Sequence, residues 1–301
     1  MIFAVMKIQT LKINSKLLKS KQVSLDIKRI DLIDPFVSGN KWFKLKYNLI
    51  EAKKKKYTKI LTFGGAYSNH IAATAYAARK HGFRSIGYIR GEKHNKLNPT
   101  LNFAVENGML LHYLSRSDYK YINESSFIDK LKEKNGNFYL IPEGGTNNLA
   151  LMGTEEIINH NDNHNFICTP VGTGGTISGI INKSLKNQRV IGFTSIKGNG
   201  DLIKNISNCT NKNNFVLIND YVTGGYAKIN RSLVDFINNF YLEYRIPLDA
   251  IYTGKMMFGL FDLISKDYFA KGSSILAIHT GGIQGNKGMS MRYKINLPIY
   301  Y

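Results

Sequence analysis

The sequence predicts an α/β fold in which parallel sheets are covered by helices. Short β-rich runs alternate with helical stretches along the 301 residues, and glycine clusters follow several of the predicted strands. A hydrophobic content of 43% provides enough apolar side chains for a sizeable core. The length corresponds to one large domain or two modest ones.

The predicted strands are short runs rich in β-branched and aromatic residues, bounded by residues that favour turns. Because helical stretches separate most of them, neighbouring strands are expected to pair in parallel through crossover connections. In chain order these strands are 23–33, 59–63, 85–89, 109–114, 137–141, 166–170, 190–195, 214–218 and 274–279.

The predicted helices occupy the stretches between these strands. The lysine run 53–56 suits the end of a helix, where cations complement the helix dipole. In chain order these helices are 43–56, 68–81, 99–107, 149–160, 176–185, 231–244 and 255–266.

Charge and composition narrow the possible environments. Forty-one Lys and Arg against 21 Asp and Glu give a net charge of +20, which is compatible with a nucleic-acid or anionic partner. The alternative is a compositional origin, because the basic residues are spread along a chain rich in Lys, Asn, Ile and Tyr. No run approaches the roughly 18 apolar residues of a membrane span, and the apolar start is too short for a signal peptide. Two cysteines cannot form a disulfide framework, so we expect a cytoplasmic protein.

Glycine clusters mark a candidate ligand site. In an open α/β sheet, ligands bind in the crevice at the carboxyl ends of the strands, where these clusters are expected to lie. A single Gly-Gly pair can be ordinary turn chemistry, whereas four clusters after strands favour a small-molecule site. The five clusters are 38–41, 64–70, 143–147, 172–176 and 279–282.

The segment 172–176, Gly-Thr-Gly-Gly-Thr, predicts a phosphate site. It follows a strand and opens a helix, whose first N–H groups and dipole attract anions. It is not a P-loop, because no Gly-Lys-Ser/Thr closes it, and Ile177 stands where a dinucleotide fingerprint needs its third glycine. A mononucleotide-sized phosphate ligand is therefore expected.

Two further segments carry candidate reactive groups. Lys41 precedes a predicted helix beside bulky aromatic residues, where desolvation would lower the pKa of an amine and make it a nucleophile. The alternative is an ordinary surface lysine. Ser68, Asn69 and His70 stand at a helix start, which suits an anionic oxygen or serves as a plain N-cap. His160 and His164 have helical spacing but no accompanying glutamate, so no metal site is expected.

Taken together, these segments resemble the aminocyclopropanecarboxylate deaminase / D-cysteine desulfhydrase family of pyridoxal-phosphate (PLP) enzymes. Residues 37–45, VSGNKWFKL, resemble the segment that carries the Schiff-base lysine of this family. The resemblance runs in order from about residue 29 to 283 and implies a two-domain fold of type II, each domain a mostly parallel sheet flanked by helices. The other matching segments are 65–70, 141–147, 172–176, 248–255 and 279–282.

The resemblance also implies site residues. Lys41 would bind PLP covalently and later move the Cα proton, Lys44 would face the phosphate, and Asn69 would bond the cofactor O3′ oxygen. Ser68, Asn69 and His70 would hold the substrate carboxylate, with Ser68 also counted as catalytic. Tyr226 and Tyr252 would flank the substrate as acid/base groups, or pack against the ring. The remaining cofactor residues would be Gly172, Thr173, Gly174, Gly175 and Thr176 at the phosphate, and Thr280 at the pyridine nitrogen.

The implied domains are a small one over 44–148 and a large one over 1–43 and 149–301. The implied activity is release of ammonia from a small amino acid, most closely that of a D-cysteine desulfhydrase yielding pyruvate, ammonia and sulfide. Thr253 favours this over cyclopropane ring opening to 2-oxobutyrate, since ring-opening members carry an acid there. Lyase, hydrolase and deaminase stay open as reaction classes, and a homodimer is expected. The remaining alternatives are a basic nucleic-acid-binding protein and a PLP-fold protein without catalysis.

Overall fold

Residues 8–93, 95–195, 200–225 and 227–300 are described by the computed structural model of the chain. They form ten strands and eleven α-helices. The strands are β1 Thr10–Ile13, β2 Ser24–Lys28, β3 Lys59–Gly65, β4 Arg84–Arg90, β5 Met109–Leu114, β6 Tyr139–Ile141, β7 Phe166–Val171, β8 Arg189–Thr194, β9 Phe215–Ile218 and β10 Ser274–Ile278.

The helices lie between these strands, as the alternating pattern predicts. Among the described residues there are also three short 3-10 turns, Ile30–Leu32, Asp118–Tyr121 and Glu143–Gly145. The α-helices are α1 Lys16–Lys21, α2 Asn40–Lys54, α3 Asn69–Lys80, α4 Pro99–Glu106, α5 Ser125–Asn135, α6 Asn148–Glu155, α7 Gly175–Lys183, α8 Gly200–Ser207, α9 Arg231–Tyr244, α10 Thr253–Ser265 and α11 Gly285–Tyr293.

The strands form two separate sheets. The larger sheet has the order β1-β2-β10-β7-β8-β9, and the smaller has the order β5-β4-β3-β6. Pairing is parallel throughout except between β1 and β2, which are antiparallel. The predicted α/β fold of parallel sheets flanked by helices is confirmed. All four strands of the smaller sheet fall within 44–148, while the domain boundaries themselves stay a prediction.

Apolar side chains of helices and strands form the core on the faces of both sheets. One cluster joins α9 and α10 to the larger sheet, with Leu233 and Leu260 fully buried. A second extends from α2 to α7, with Leu45 and Ile180 fully buried. Helix α2 packs against α6, and α6 packs against α7, so helices connect the two sheets below the site.

The predicted strand 23–33 is wrong in its second half, because the strand ends at Lys28. Arg29 leaves the extended conformation, and its guanidinium donates two hydrogen bonds to the buried carboxylate of Asp31 within the following 3-10 turn. The hydroxyl of Tyr300, near the chain end, donates to the same carboxylate. Satisfying this buried charge requires a turn at a place where the apolar sequence favours a strand.

Helices α1, α5, α8 and α11 are present although none was predicted. Their apolar stripes are narrow: Leu131 is the buried residue of α5 and Ile206 that of α8. Cys168 lies fully buried in β7 as a small apolar core residue, and burial raises the pKa of its thiol. None of the helices in the described ranges combines the length and apolar character that crossing a membrane requires.

Candidate active site

A cleft lies at the carboxyl ends of the parallel strands, where β3, β7 and β10 run into glycine-containing loops. The start of α2 and the start of α3 face the same cleft. The sequence-predicted residues that the structure brings together along its walls are Lys41, Lys44, Ser68, Asn69, His70, Gly172, Thr173, Gly174, Thr176, Tyr252 and Thr280. Gly175 begins α7 beside them. Tyr226 lies outside the described residues.

Lys41 stands in the first turn of α2, directly after a turn that only glycine fits. Gly39 has a φ of +64°, and a Cβ there would lie 1.9 Å from the Thr280 carbonyl oxygen. This close approach joins the loop before Lys41 to the loop after β10. Desolvation lowers the pKa of the Lys41 amine to about 8, while the negative charge of Asp249 acts in the opposite direction. An appreciable share of the amine is therefore neutral and nucleophilic near neutral pH.

Lys44 lies one helical turn further along α2 and points to the start of α7. Its Nζ donates to the carbonyl oxygen of Gly144 at 2.9 Å and to Thr146 Oγ1 at 3.1 Å. Desolvation, reinforced by repulsion from Lys41, holds the pKa of this buried amine well below its usual value. An anion bound beside it would relieve that cost.

The phosphate segment forms a cup between the two sheets. Gly174 has a φ of +92° and turns the chain from β7 into α7, whose first N–H groups have no partners within the helix. A Cβ on Gly175 would lie 3.1 Å from Lys44 Nζ and 2.8 Å from Thr146 Oγ1. Thr173 and Thr146 join their hydroxyls at 2.8 Å across the cup. A side chain at position 175 would occupy the space in front of the ammonium group.

The start of α3 forms a second anion site. The Ser68 hydroxyl accepts from the Ile71 N–H at 3.4 Å, so Ser68 is the N-cap of the helix. Asn69 is held from the opposite wall, since Gln284 Nε2 donates to Asn69 Oδ1 at 2.8 Å. The remaining N–H groups of this helix start face the cleft, which suits a carboxylate.

The imidazole of His70 is neutral and buried. Desolvation, aided by the charges of Lys41 and Lys44, lowers its pKa well below the usual range. The Thr62 hydroxyl donates to the Ile141 carbonyl oxygen, so its oxygen accepts from His70 Nε2, 2.8 Å away. That pair assigns the Nε2–H tautomer and leaves a lone pair on Nδ1. Such a ring offers no hydrogen to a carboxylate, which leaves that contact to the backbone N–H groups of α3.

Tyr252 and Thr280 occupy the remaining walls. A Cβ on Gly172 would lie 3.3 Å from the Tyr252 ring, so the tyrosine packs on the phosphate segment. Thr280 is buried, and its carbonyl oxygen accepts from the Asn40 N–H at 3.2 Å. The structure thus puts a neutral residue at the position expected to face the pyridine nitrogen.

Three residues that stabilise this site lie within the segments singled out in the sequence, but no individual role was predicted for them. The Asn40 amide bridges two elements: Oδ1 accepts from Lys41 Nζ at 3.1 Å, and Nδ2 donates to Thr176 Oγ1 at 2.8 Å. Thr146 completes the cup. Two sequence signals could have identified these residues: Asn40 stands next to Lys41, and Thr146 lies inside a glycine cluster.

Asp249 is the third. Its carboxylate accepts from the N–H groups of Ile251, Tyr252 and Thr253 and from the Thr253 hydroxyl, at 2.7 to 2.9 Å. It is buried beneath Gly282, where a Cβ would lie 3.3 Å from its Cγ. This carboxylate therefore fixes the loop that carries Tyr252 and supplies a negative charge that raises the pKa of the Lys41 amine. The sequence offered no signal for it beyond its place in the segment 248–255.

The site matches the chemistry of a cofactor with both an aldehyde and a phosphate. A desolvated amine lies one helical turn from a second amine at a helix start, and the cup between them is lined by glycines and hydroxyls. An aldehyde needs the neutral amine, and a phosphate needs the donors of the cup. The residues present thus fit PLP, with each individual role remaining a prediction.

Comparison with known proteins gives the same cofactor. Residues 8–281 match the model of a family described as pyridoxal-phosphate dependent enzymes. A Thermotoga maritima protein, provisionally named a 1-aminocyclopropane-1-carboxylate deaminase, is 33% identical over 289 residues, which are 88% of this chain and 91% of the relative. The mitochondrial bifunctional D-cysteine desulfhydrase/1-aminocyclopropane-1-carboxylate deaminase of Arabidopsis thaliana is 32% identical over 86% of this chain and 72% of its own.

Solved structures agree. A crystal structure described as an ACC deaminase homologue superposes with a TM-score of 0.82 at 25% identity, covering 94% of this chain and 91% of the other. O-ureido-L-serine synthase, at 15% identity and a TM-score of 0.68 over 92% and 90% of the two chains, shares the fold.

The hydrolase class that the sequence left open is wrong for this chain, and the lyase class fits its relatives. A lysine that moves a proton at Cα needs no attacking water to break a bond at Cβ. The segments that resemble PLP enzymes, the cup that suits a phosphate, the desolvated Lys41 and the family match over residues 8–281 all lead to one conclusion: this chain belongs to the family of pyridoxal-phosphate-dependent enzymes, and PLP is its cofactor.

Proposed function

We propose that this enzyme is a lyase that removes a leaving group from Cβ of a small amino acid, with D-cysteine as the preferred substrate. The products would be pyruvate, ammonia and sulfide. The observation that carries the proposal is that a threonine, and no acidic side chain, lines the cleft at position 280. The cleft-lining residues in the described ranges include Lys41, Lys44 and Thr280 but no carboxylate.

When bound, PLP supplies an electron sink for bonds at the substrate Cα. Thr280 is the residue that would face the pyridine nitrogen, and a neutral side chain there would moderate that sink and favour elimination over transamination. Lys44 and the start of α7 would hold the phosphate, and the Asn69 amide, braced by Gln284, would hold the phenolic oxygen.

Lys41 would act twice in this scheme. Its Nζ would hold the cofactor at the aldehyde carbon, and the same amine would take the Cα proton once substrate is bound. A pKa of about 8 suits both tasks, because the amine is neutral often enough to attack and basic enough to accept a proton. The carboxylate of the substrate would lie at the N–H groups of Asn69 and His70, which begin α3 after the N-cap Ser68.

The second candidate is 1-aminocyclopropane-1-carboxylate deaminase, which would yield 2-oxobutyrate and ammonia. The names of the Thermotoga maritima and Arabidopsis thaliana relatives support it. Thr253 favours the first candidate, because ring-opening members of the family carry an acidic residue at this position, directly after the tyrosine that corresponds to Tyr252. In this chain the Thr253 hydroxyl donates to Asp249 and is fully buried. Family membership favours either enzyme over a non-catalytic nucleic-acid-binding protein.

A steady-state assay decides between the candidates. Purified protein is saturated with PLP and supplied in turn with D-cysteine, L-cysteine and 1-aminocyclopropane-1-carboxylate, and pyruvate, 2-oxobutyrate and sulfide are measured. We expect pyruvate and sulfide from D-cysteine at the highest rate, and none with Lys41→Ala. A faster yield of 2-oxobutyrate would reverse the ranking. No keto acid above the Lys41→Ala control from any of the three would reject both candidates.

The anchor can be tested without substrate. Absorbance near the visible edge that sodium borohydride removes, and that Lys41→Ala lacks, would support a covalent link to Lys41. The same preparation tests a homodimer by light scattering. A cytoplasmic location, the homodimer and the domain limits at residues 44 and 148 belong to this proposal.

A further inference from the structure

The loop that follows β9 lies at the same edge of the larger sheet as the candidate active site. Strands β7, β8 and β9 are parallel, so their carboxyl ends share one edge. The phosphate cup leaves β7 at that edge, and residues 219–225 leave β9 there. Helix α10 packs against β7 and β8, and its N-cap is Tyr252, which contacts Gly172. The loop and the start of α10 therefore lie at the edge of the sheet that carries the site.

Lys255 connects these two parts. Its side chain is fully buried in the first turn of α10, three residues after Tyr252. Its Nζ donates to the carbonyl oxygen of Val222 at 2.8 Å and to that of Gly225 at 3.1 Å. Burial lowers the pKa of this amine to about 8, with Asp249 acting against the change. A buried ammonium group that binds two backbone carbonyls is costly to build and suggests a specific purpose.

The loop bound by Lys255 has an unfavourable backbone. Thr223, Gly224 and Gly225 have φ values of +50°, +89° and +135°, and a β-branched residue rarely adopts the first. The turn is closed by the Gly225 N–H, which donates to the Val222 carbonyl at 3.3 Å, and by the Lys228 N–H, which donates to the Gly225 carbonyl at 3.3 Å. The two carbonyls that close the turn are thus the two that Lys255 binds.

We propose that Lys255 is a positioning residue whose ammonium group holds loop 222–225 in this conformation and so fixes the wall of the substrate site beside Tyr252. The loop continues directly into residue 226, which the sequence predicts to flank the substrate. Lys255 itself acts through the two carbonyls and touches neither cofactor nor substrate. The consequence for substrate affinity rests on the proposed function, while the consequence for the loop does not.

The loop is tested first, by hydrogen–deuterium exchange of the PLP-saturated enzyme over residues 221–230. Lys255→Met keeps the length and apolar stem of the side chain and removes both bonds. We expect exchange in this segment to rise roughly tenfold or more, since bonds to a charged group are the strong ones. Lys28→Met is the matched control: Lys28 is also buried and pairs with Asp162 far from this loop, so its loss should lower thermal stability without faster exchange here.

The site is tested second, with whichever amino acid the wild-type enzyme turns over. Lys255→Met should raise KM roughly tenfold with a smaller change in kcat, and Lys255→Arg, which keeps the charge, should restore part of both exchange protection and KM. The borohydride-sensitive absorbance should persist in every variant. Unchanged exchange over 221–230 in Lys255→Met would overturn the proposal, as would faster exchange with KM unchanged. A wild-type enzyme inactive on all three test substrates would reject the proposed function and leave the exchange result to decide the role of the loop.

Discussion

Lys41 is a partly buried amine and Lys44 a buried one on adjacent turns of one helix, and among the residues that the structure describes neither forms an ion pair with a carboxylate. Burial lowers the pKa of both amines, and the charge of Lys41 lowers the pKa of Lys44 further, which destabilises the cofactor-free protein at neutral pH. This arrangement makes sense when an aldehyde binds the first amine and an anion faces the second. Function at these two positions is therefore expected to oppose stability.

Lys44→Met tests this opposition. We expect the affinity for PLP to fall roughly tenfold or more, because the charged donor to the phosphate is lost. We also expect the melting temperature of the cofactor-free protein to stay equal or rise, because a buried amine of low pKa is replaced by an apolar side chain. Titration of the apoprotein with PLP and thermal scans measure both. Lys46→Met, two residues along and bonded to Glu156, is the control that should leave PLP affinity unchanged.

Asp249→Asn tests the electrostatic setting of Lys41. The amine attacks an aldehyde only when neutral, so covalent uptake of PLP by the wild type should rise with pH around a midpoint of about 8. Asp249 raises the pKa of Lys41, so its neutralisation should move the midpoint of this rise to lower pH. Thr253→Val is the control, because it removes one bond to the carboxylate but keeps the charge. A midpoint that moves equally in both variants would contradict the electrostatic role.

At the scale of elements, the site depends on loops from different parts of the chain that touch backbone to backbone. Gly39 against the Thr280 carbonyl oxygen is the closest of these contacts. Helix α2 begins at this contact, so its position, and with it that of Lys41, is set by the loop after β10.

Gly39→Ala should therefore destabilise the protein by about 2–4 kcal/mol, through the positive φ and the collision with Thr280. Urea denaturation of the cofactor-free protein measures the change in the free energy of unfolding. Gly65→Ala is the matched control, since a Cβ there meets no atom within 4 Å and its φ is not positive. We expect it to change the free energy of unfolding by less than about 1 kcal/mol. Equal losses in both variants would refute the contact argument.

Much of this arrangement was accessible from the sequence because it is local. Strand and helix alternation, the glycine clusters and the order of the motifs predicted the fold and most of the cleft. The strand end at Lys28 was missed because it depends on Tyr300, which is distant in sequence. Asn40 and Thr146 received no roles for the same reason: their partners Thr176 and Lys44 come from other elements. Asp249 bonds to residues close to it in the chain, but the amine on which its charge acts, Lys41, is distant in sequence.

At the scale of the whole molecule, the phosphate cup is shared between the two sheets. Thr146 follows β6 of the smaller sheet, Thr173 follows β7 of the larger, and Lys44 comes from α2, which packs between them. PLP bound there would contact parts of both sheets. Because a ligand that binds only the folded state stabilises it, we expect a large rise in melting temperature with PLP. Pyridoxal without the phosphate should give a smaller rise, and equal effects of the two would contradict a shared cup.

The contact between the Thr146 and Thr173 hydroxyls then has a consequence for how long the protein survives in a cell. In a chain that has not yet bound PLP, the two walls of the cup are joined directly by this one neutral contact, beside two amines whose pKa values are lowered by burial. Proteases cleave chains that open transiently, so we expect the cofactor-free protein to be degraded faster than the PLP-bound protein. The abundance of this enzyme is therefore expected to follow the supply of vitamin B6, because bound cofactor would protect each copy from degradation.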